Sequence, residues 1–410
     1  MKKHRIILGI LFLMLTSGVW AQSALNGYLQ KAAENNPNLK MKFNAYMAAL
    51  EVAPQVKALP DPQVAFAYFV QPVETRVGPQ RLKLSASQMF PWFGTLGNRE
   101  NVALQKARSK YEAFEDAKSG LFNDVRNTYY NLYLNRKAIA ITRENIGILE
   151  SFRKLATVKV EAGLVSSLDE YRITIEINDL ENQLALLNDK QHVLETTFYS
   201  LLNDEGTFLI EVPDSLWLND FPLSRETALD SVLTRNHQIS AISYEQNALD
   251  YRKELASDMG KPSFKIGLDY TIIGKGENNL AGTDAFMFPT VGVSIPLYRS
   301  KYKAMIREVN YQESAKESEK EGKKNQLTVL FENSWKDYRD AKRRIQLYRT
   351  QLDLAHKSLS LLETDYATGN RNFEEILRME RKVLAYNLEL EKAKTDKQAS
   401  ISFINYLMGN

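Results

Sequence analysis

The side chains that most often carry out enzyme chemistry are scarce in this sequence and stand far apart. There is no cysteine, which excludes thiolate nucleophiles, disulfides and cysteine-ligated metals. Beyond the first residues the histidines are His192, His237 and His356, and none has a partner at the spacing of a recognised zinc motif. No P-loop, G-x-S-x-G or G-x-G-x-x-G segment occurs. The sequence therefore predicts a protein that is not an enzyme and that uses no metal and no cofactor.

The amino-acid composition further limits which kinds of protein this chain can be. The 410 residues include 53 Lys and Arg and 50 Asp and Glu. This near balance does not provide the excess of positive charge that is typical of a nucleic-acid-binding protein. Only 12 prolines and 19 glycines punctuate the chain. Because these residues end helices and strands, their scarcity predicts long elements.

The first residues have the pattern of an export signal. Lys2, Lys3 and Arg5 precede an apolar run, and small residues at Val19 and Ala21 suit a signal peptidase. We expect residues 1–21 to be a signal peptide and the mature chain to begin at Gln22. The protein is therefore predicted to leave the cytoplasm.

The remainder of the chain is an internal repeat. Asn36 matches Asn236 at an offset of 200 residues, and Gly163 matches Gly369 at an offset of 206. Each half has the order helix, strand, loop, strand, long helix, turn, long helix. The predicted divisions are a first repeat over residues 22–203, an irregular linker over 204–223 and a second repeat over 224–410.

Four segments have the alternation of β-strands. They cover about residues 63–71, 82–90, 263–273 and 289–295. In the third, Phe264, Ile266 and Leu268 alternate with polar or small residues over about the ten residues that a transmembrane strand needs. Hairpins of a soluble sandwich would show the same alternation. Since four strands cannot close a barrel, membrane strands would require several copies of the chain, and a trimer would supply twelve.

The helices carry a duplicated coiled-coil seam. From Ile173 the apolar positions advance by four and three residues to Leu201, and adding 206 to each gives a second seam from Met379 to Leu407. The helix that precedes the first seam runs without proline from Asn98 to Ala162, which at 1.5 Å per residue could reach about 95 Å. The sequence thus predicts two long coiled-coil hairpins, which turn near Gly163 and Gly369.

The order of these elements resembles the TolC-like outer membrane efflux proteins. The resemblance covers the mature chain and is carried by the signal peptide, the duplicated strand pairs and hairpins, the strand exit from Phe90 to Gly94 and the turn glycines. It implies a mainly α fold with a membrane β-barrel contribution, assembled as a trimer with a 12-stranded barrel and a 12-helix periplasmic tunnel. Such a duct would work with a periplasmic adaptor and an inner-membrane transporter of the RND or ABC type.

The resemblance also implies roles for residues near the two turns. The family closes its periplasmic end with residues that correspond to Asp169, Tyr366 and Arg371, and all three residue types match. Its two acidic aperture rings correspond to Glu375, which keeps the acid, and Arg378, which replaces it. The turn residues expected to dock the adaptor are Gly163, Leu164, Val165, Gly369 and Asn370.

Two other functions are compatible with the same pattern. The outer membrane component of type I protein secretion would use the same kind of duct. A soluble periplasmic coiled-coil interaction protein is the alternative from another class, although adaptors of that kind usually have a single hairpin. We expect an outer membrane protein with its helices in the periplasm.

Overall fold

The computed structural model describes residues 24–163, 166–276, 282–367 and 373–410. The predicted signal peptide lies outside these residues. The first repeat contains α1 (24–35), α2 (Pro37–Leu50), α3 (Val52–Lys57), β1 (Gln63–Thr75), β2 (Gly78–Phe90), α4 (Thr95–Glu161) and α5 (Ser167–Leu202). The second contains α6 (Arg225–Arg235), α7 (His237–Asp258), β3 (Ser263–Ile273), β4 (Ala285–Ser294), α8 (Arg299–Ala367) and α9 (Phe373–Leu407).

The predicted order of elements is present in both repeats, and the long helices are α4 with 67 residues and α8 with 69. None of the helices that the structure describes has an apolar, weakly charged stretch sufficient to cross a membrane. The segment between α5 and α6 contains neither helix nor strand.

The chain divides into two compact units, and α4 and α8 contribute to both. The first unit contains residues 24–41, Glu115–Asn236 and Lys324–Asn410. Its core follows a heptad pattern along α8, where Leu327, Phe331, Tyr338 and Ile345 are buried at steps of four and seven residues. This spacing keeps one stripe of a slightly underwound helix against its neighbours, which is why the coiled-coil prediction succeeds.

The seam predicted for α9 is only part of what this helix buries. Val383, Ala393 and Ile404 are buried as expected, but Glu380 and Leu384 are buried as well. A helix packed against a single partner buries one narrow stripe, whereas a helix in a bundle buries a wider face. In this unit α9 has neighbours in addition to its hairpin partner, because its core cluster draws residues from α4, α5, α8 and α9.

The second unit contains Lys42–Phe114 and His237–Lys323. Its four strands form one antiparallel sheet in the order β1-β2-β3-β4. The strand pair of the first repeat is therefore joined to the strand pair of the second repeat by the pairing of β2 with β3. The first hairpin is tighter than predicted, since Thr75 pairs with Gly78 across a two-residue turn. The pairing is irregular between Tyr68 and Val73, around Pro72. Proline has no N–H to donate to a neighbouring strand, which accounts for this interruption.

Candidate functional site

The turn end of the first unit has an apolar core contributed by four helices. We call it the tip cluster, and its buried members are Leu149, Ala156, Ile173, Ile177, Leu180, Leu352, Ala355, Leu359, Tyr366, Phe373, Ile376, Leu377, Val383 and Leu384. Residues from both hairpins are therefore packed into one core. Any movement of one hairpin against the other would have to separate these side chains.

Asp169 lies in the first turn of α5, directly after the turn between α4 and α5. The hydroxyl of Ser166 accepts a hydrogen bond from the Leu168 N–H at 3.2 Å and so caps the start of the helix. A carboxylate in this turn is favoured by the helix dipole. Asp169 is nevertheless largely shielded from water, and burial, together with the nearby charge of Glu374, raises its pKa, while Arg172 lowers it.

Arg172 connects the two hairpins at this point. Its guanidinium lies 3.7 Å from the Asp169 carboxylate on its own helix and 3.5 Å from the Glu374 carboxylate on α9. A second connection between α5 and α9 joins Arg381 to Glu176 at 2.6 Å. The sequence analysis did not single out either arginine, because an ion pair between distant segments leaves no local pattern.

Tyr366 lies near the end of α8 and is 4% exposed. Its ring packs against Phe373 at 5.2 Å between centroids, and the ammonium of Lys159 lies 3.7 Å from the ring centroid. Lys159 also donates a hydrogen bond to the Tyr366 carbonyl at 3.1 Å, which ties α4 to α8. The phenol hydroxyl is buried, and none of the described residues forms a hydrogen bond with it. Burial and the negative charge of Asp169 raise its pKa.

Two of the three predicted gate residues therefore influence each other, since the charge of Asp169 raises the pKa of Tyr366. The third, Arg371, lies outside the described residues, as do the turn residues Leu164, Val165, Gly369 and Asn370. Gly163 is described and has φ of 70°, in the left-handed region that a glycine adopts without strain. Of the predicted aperture residues, Glu375 is half-buried and Arg378 is exposed.

A carboxylate that the sequence analysis missed is buried on α9, between Leu377 and Val383 of the tip cluster in the sequence. Glu380 is 3% exposed, and no hydrogen bond or ion pair is described for it among the residues that the structure covers. Burial, with a further contribution from the charge of Glu363, raises its pKa to about 7. Its spacing from Phe373, Leu377 and Leu384 is that of a core position, which is the signal that could have identified it.

The sheet of the second unit has two chemically different faces. One row across it joins Phe66, Leu84, Tyr270 and Phe286, and a parallel row joins Val64, Ala86 and Leu268. Several of these apolar side chains are exposed, Phe66 and Phe286 among them.

The opposite face of the sheet is polar. Ser85 donates a hydrogen bond to Asp269, and the Lys83 ammonium lies 3.3 Å from the same carboxylate. Because successive residues of a strand point to opposite sides, the alternation seen in the sequence becomes an amphipathic sheet. A sheet of this kind separates an apolar from a polar environment.

Among the described residues, no group of three or more histidine and carboxylate side chains is placed to hold a metal ion. His237 contacts Glu112 at 2.7 Å, an isolated pair. The chemistry of both units consists of ion pairs, aromatic contacts and the two faces of a sheet.

Comparison with known proteins finds a family match in the sequence of the first repeat. It also finds solved structures whose fold is similar over nearly the whole chain. Residues 28–204 match the family described as outer membrane efflux protein. No curated protein sequence matches.

Solved structures with the same fold are outer membrane proteins. The outer membrane protein VceC of Vibrio cholerae is 15% identical, with a TM-score of 0.77 over 96% of this chain and 99% of its own. The outer membrane channel OprN is 16% identical, with a TM-score of 0.78 over 96% and 92%. The MtrE outer membrane channel of Neisseria gonorrhoeae, in its open state, is 14% identical, with a TM-score of 0.74 over 94% and 89%.

The family match lies in the repeat that supplies α4, α5 and the first strand pair, and the fold carries the same elements through the second repeat. The match to the efflux family and the shared fold favour an outer membrane protein over the soluble periplasmic alternative. The chain has the fold of these outer membrane channels, and its residues 28–204 match the outer membrane efflux protein family.

Proposed function

We propose that this chain is the exit duct of a tripartite efflux system, a passive trimeric channel gated at the turn end of its helices. The match of residues 28–204 to the efflux family supports the duct. An inner-membrane transporter supplies the energy, and a periplasmic adaptor docks on the turns that contain Gly163 and Gly369. The adaptor opens the channel when it binds.

The amphipathic sheet supports assembly as a trimer. In a single copy, β1 and β4 are the edges of the sheet, and each offers unpaired backbone groups. Pairing β1 of one copy with β4 of the next in a ring of three yields twelve strands and leaves no open edge. The apolar rows then face lipid, and the polar face with Lys83 and Asp269 lines the passage.

The gate rests on one observation: the guanidinium of Arg172 bridges the two hairpins through Asp169 on α5 and Glu374 on α9. Arg172 and Glu374 are both partly exposed. Exposed ion pairs contribute only about 0 to 1 kcal/mol each, so a docking protein can offset them. We propose that Arg371 joins Asp169 and Tyr366 in this restraint, as the resemblance implies.

Single-channel conductance in a planar bilayer tests the proposal. The purified wild type should show a small conductance, and the Asp169→Ala/Arg371→Ser variant should show a conductance several times larger. The matched control is Asp353→Ala/Lys357→Ser, which removes an exposed pair within α8 whose charged atoms are 2.7 Å apart. This pair connects no two helices, so the control should match the wild type.

The outcomes separate the two parts of the proposal. If a verified trimer forms no channel, the exit duct is wrong. If channels form but the tip variant conducts like the control, the duct stands and the assignment of the gate fails. A larger conductance in Arg172→Gln as well would show that the bridge between α5 and α9 is part of the restraint.

A further inference from the structure

An open groove of about 680 Å³ lies in the first unit, between α8 and the segment that joins α5 to α6. We call it the basic groove, because its wall contains the cations Arg339, Lys342, Arg343, Arg349 and Lys397. The apolar part of the wall is formed by Leu218, Tyr338 and Ile345. Among the described residues of the wall, Asp220 is the single carboxylate. Neither the duct nor the proposed gate uses this surface.

The positive charge of the chain is concentrated beside this groove. Between Lys336 and Arg349, α8 has six basic residues and two acidic residues. The whole chain has a net charge of only +3. A surface with such an excess of one sign attracts a partner of the opposite sign.

Four polar residues of the wall form a row along α8. Arg339, Lys342, Gln346 and Arg349 follow one another at steps of three, four and three residues, so they share one face of the helix. All four are exposed. Within the part of the chain that the structure describes, the guanidinium groups of Arg339 and Arg349 have no hydrogen bond and no ion pair. Both are therefore available to a partner.

Asp220 shows that this surface holds a carboxylate. Its side chain is 53% exposed, and it accepts hydrogen bonds at 2.7 Å from Lys342 and Lys397. These bonds hold its pKa at about 2, so it stays charged at neutral pH. The chain thus supplies one carboxylate for the two lysines and none for Arg339 and Arg349.

A second cavity lengthens the basic groove. It has a volume of about 190 Å³, it shares Arg339 and Arg343 with the groove, and its wall includes Trp335. Its carboxylate, Glu332, is bound by Arg225. From Trp335 to Arg349 the two cavities follow α8 for about 21 Å, at 1.5 Å per residue. A compact anion could reach only one or two of the cations, whereas an extended chain could follow them all.

We propose that the basic groove binds an acidic segment of a periplasmic partner protein, in which apolar side chains lie between the carboxylates. The carboxylates pair with Arg339 and Arg349, because the planar fork of arginine matches two carboxylate oxygens at once. The apolar side chains cover Leu218 and the neighbouring part of the wall. An acidic polysaccharide would match the charges but has no apolar side chain for this part.

This surface is separate from the turns where the adaptor is proposed to dock. Arg349 lies about 27 Å along α8 from the end of the helix at Ala367. Binding of an acidic segment there requires no open channel. The test below therefore stands or fails independently of the exit duct.

Fluorescence anisotropy of the full chain in an uncharged detergent tests the proposal. The probe is a labelled peptide of four Glu-Glu-Leu repeats, and a control peptide has glutamine in place of each glutamate. We expect the wild type to bind the glutamate peptide at least about tenfold more tightly than Arg339→Gln/Arg349→Gln does, since hydrogen bonds to charged groups are lost. The matched control is Arg299→Gln/Arg307→Gln, which removes two exposed arginines of the same helix outside the groove and should bind like the wild type.

Loss of binding is separated from loss of folding by the melting temperature. Arg339 and Arg349 are exposed, so their replacement should leave the melting temperature as in the wild type. Polygalacturonate, an acidic polysaccharide, should bind more weakly than the glutamate peptide. The proposal is overturned if the Arg339→Gln/Arg349→Gln variant binds the peptide like the wild type, if the glutamine peptide binds as tightly as the glutamate peptide, or if polygalacturonate binds more tightly than either.

Discussion

At the scale of single residues, polar groups are buried at the turn end of the first unit. The hydroxyl of Tyr366 in the tip cluster has no hydrogen-bond partner among the described residues, and Glu380 is buried on α9. Groups of this kind reduce stability, and they are often found where a protein must change its state. The position of Tyr366 in a core shared by the two hairpins agrees with the proposed gate.

Glu380 predicts a pH dependence. Its pKa rises from an ordinary value of 4.5 to about 7, so the folded protein holds the proton more tightly than the unfolded chain does. The stabilisation is therefore complete below pH 4.5 and is lost as the pH rises through 7, by up to about 3 kcal/mol. We expect the wild type to melt at a lower temperature at pH 8 than at pH 6, and Glu380→Gln to reduce this difference.

The control for this prediction is Glu389→Gln, which changes a more exposed carboxylate on the same helix. It should leave the pH dependence as in the wild type. A melting temperature of Glu380→Gln that follows the wild type at every pH would contradict the assignment.

At the scale of elements, the turn between α4 and α5 depends on one backbone conformation. Gly163 has a positive φ, whereas Gly147 lies within α4, and neither would bring an added Cβ within 4 Å of another group. Gly163→Ala should therefore destabilise the turn by about 1 kcal/mol, while Gly147→Ala should stabilise α4 by about 0.5 to 1 kcal/mol. Hydrogen exchange followed by mass spectrometry should show faster exchange near the turn in the first variant and slower exchange in α4 in the second. Equal effects of the two changes would refute the role of φ.

The segment between α5 and α6 is held by α9. The ammonium of Lys397 is nearly fully buried and donates hydrogen bonds to the Leu218 carbonyl at 2.8 Å and to Asp220 at 2.7 Å. Lys342 binds the same carboxylate at 2.7 Å from an exposed position. These two lysines hold the pKa of Asp220 at about 2, so the contact persists at neutral pH.

The two lysines should differ in their effect on stability. Lys397→Met removes a nearly fully buried ammonium and leaves the half-buried Leu218 carbonyl without its donor, so it should cost about 2 kcal/mol. Lys342→Met removes an exposed pair and should cost about 0 to 1 kcal/mol. Thermal unfolding followed by circular dichroism measures both. Similar melting temperatures for the two variants would mean that Lys397 does not anchor the segment.

At the scale of the whole molecule, the two faces of the sheet decide where the protein can reside. Phe66 belongs to an apolar row of the sheet, and Ala67 belongs to the polar face, beside Lys83. A charged side chain that faces lipid destabilises a membrane-spanning strand, and the cost is repeated in each copy. We expect Phe66→Asp to reduce sharply the amount of protein recovered from outer membranes, and Ala67→Asp to be tolerated. Quantitative blotting of membrane fractions tests this, and equal recovery of both variants would contradict the assignment of the faces.

Much of the fold follows from local patterns in the chain. Steps of three and four residues predicted the helices, alternation predicted the strands, and the offset between Gly163 and Gly369 predicted that the order of elements would be repeated. The periods of helix and strand are properties of the backbone, so a single sequence displays them. Residues such as Pro72 mark local exceptions, because a missing N–H affects only the neighbouring pairs.

The sequence by itself determined that this protein consists of two similar halves with long coiled-coil helices and amphipathic strands. Only the tertiary structure decided which charges meet. Arg172 and Glu374 lie on different hairpins, and Asn98 and Asp258 lie 160 residues apart in the chain. Such pairs depend on which elements become neighbours, and this is decided by packing over the whole molecule. For the same reason the burial of Glu380 became visible only in three dimensions.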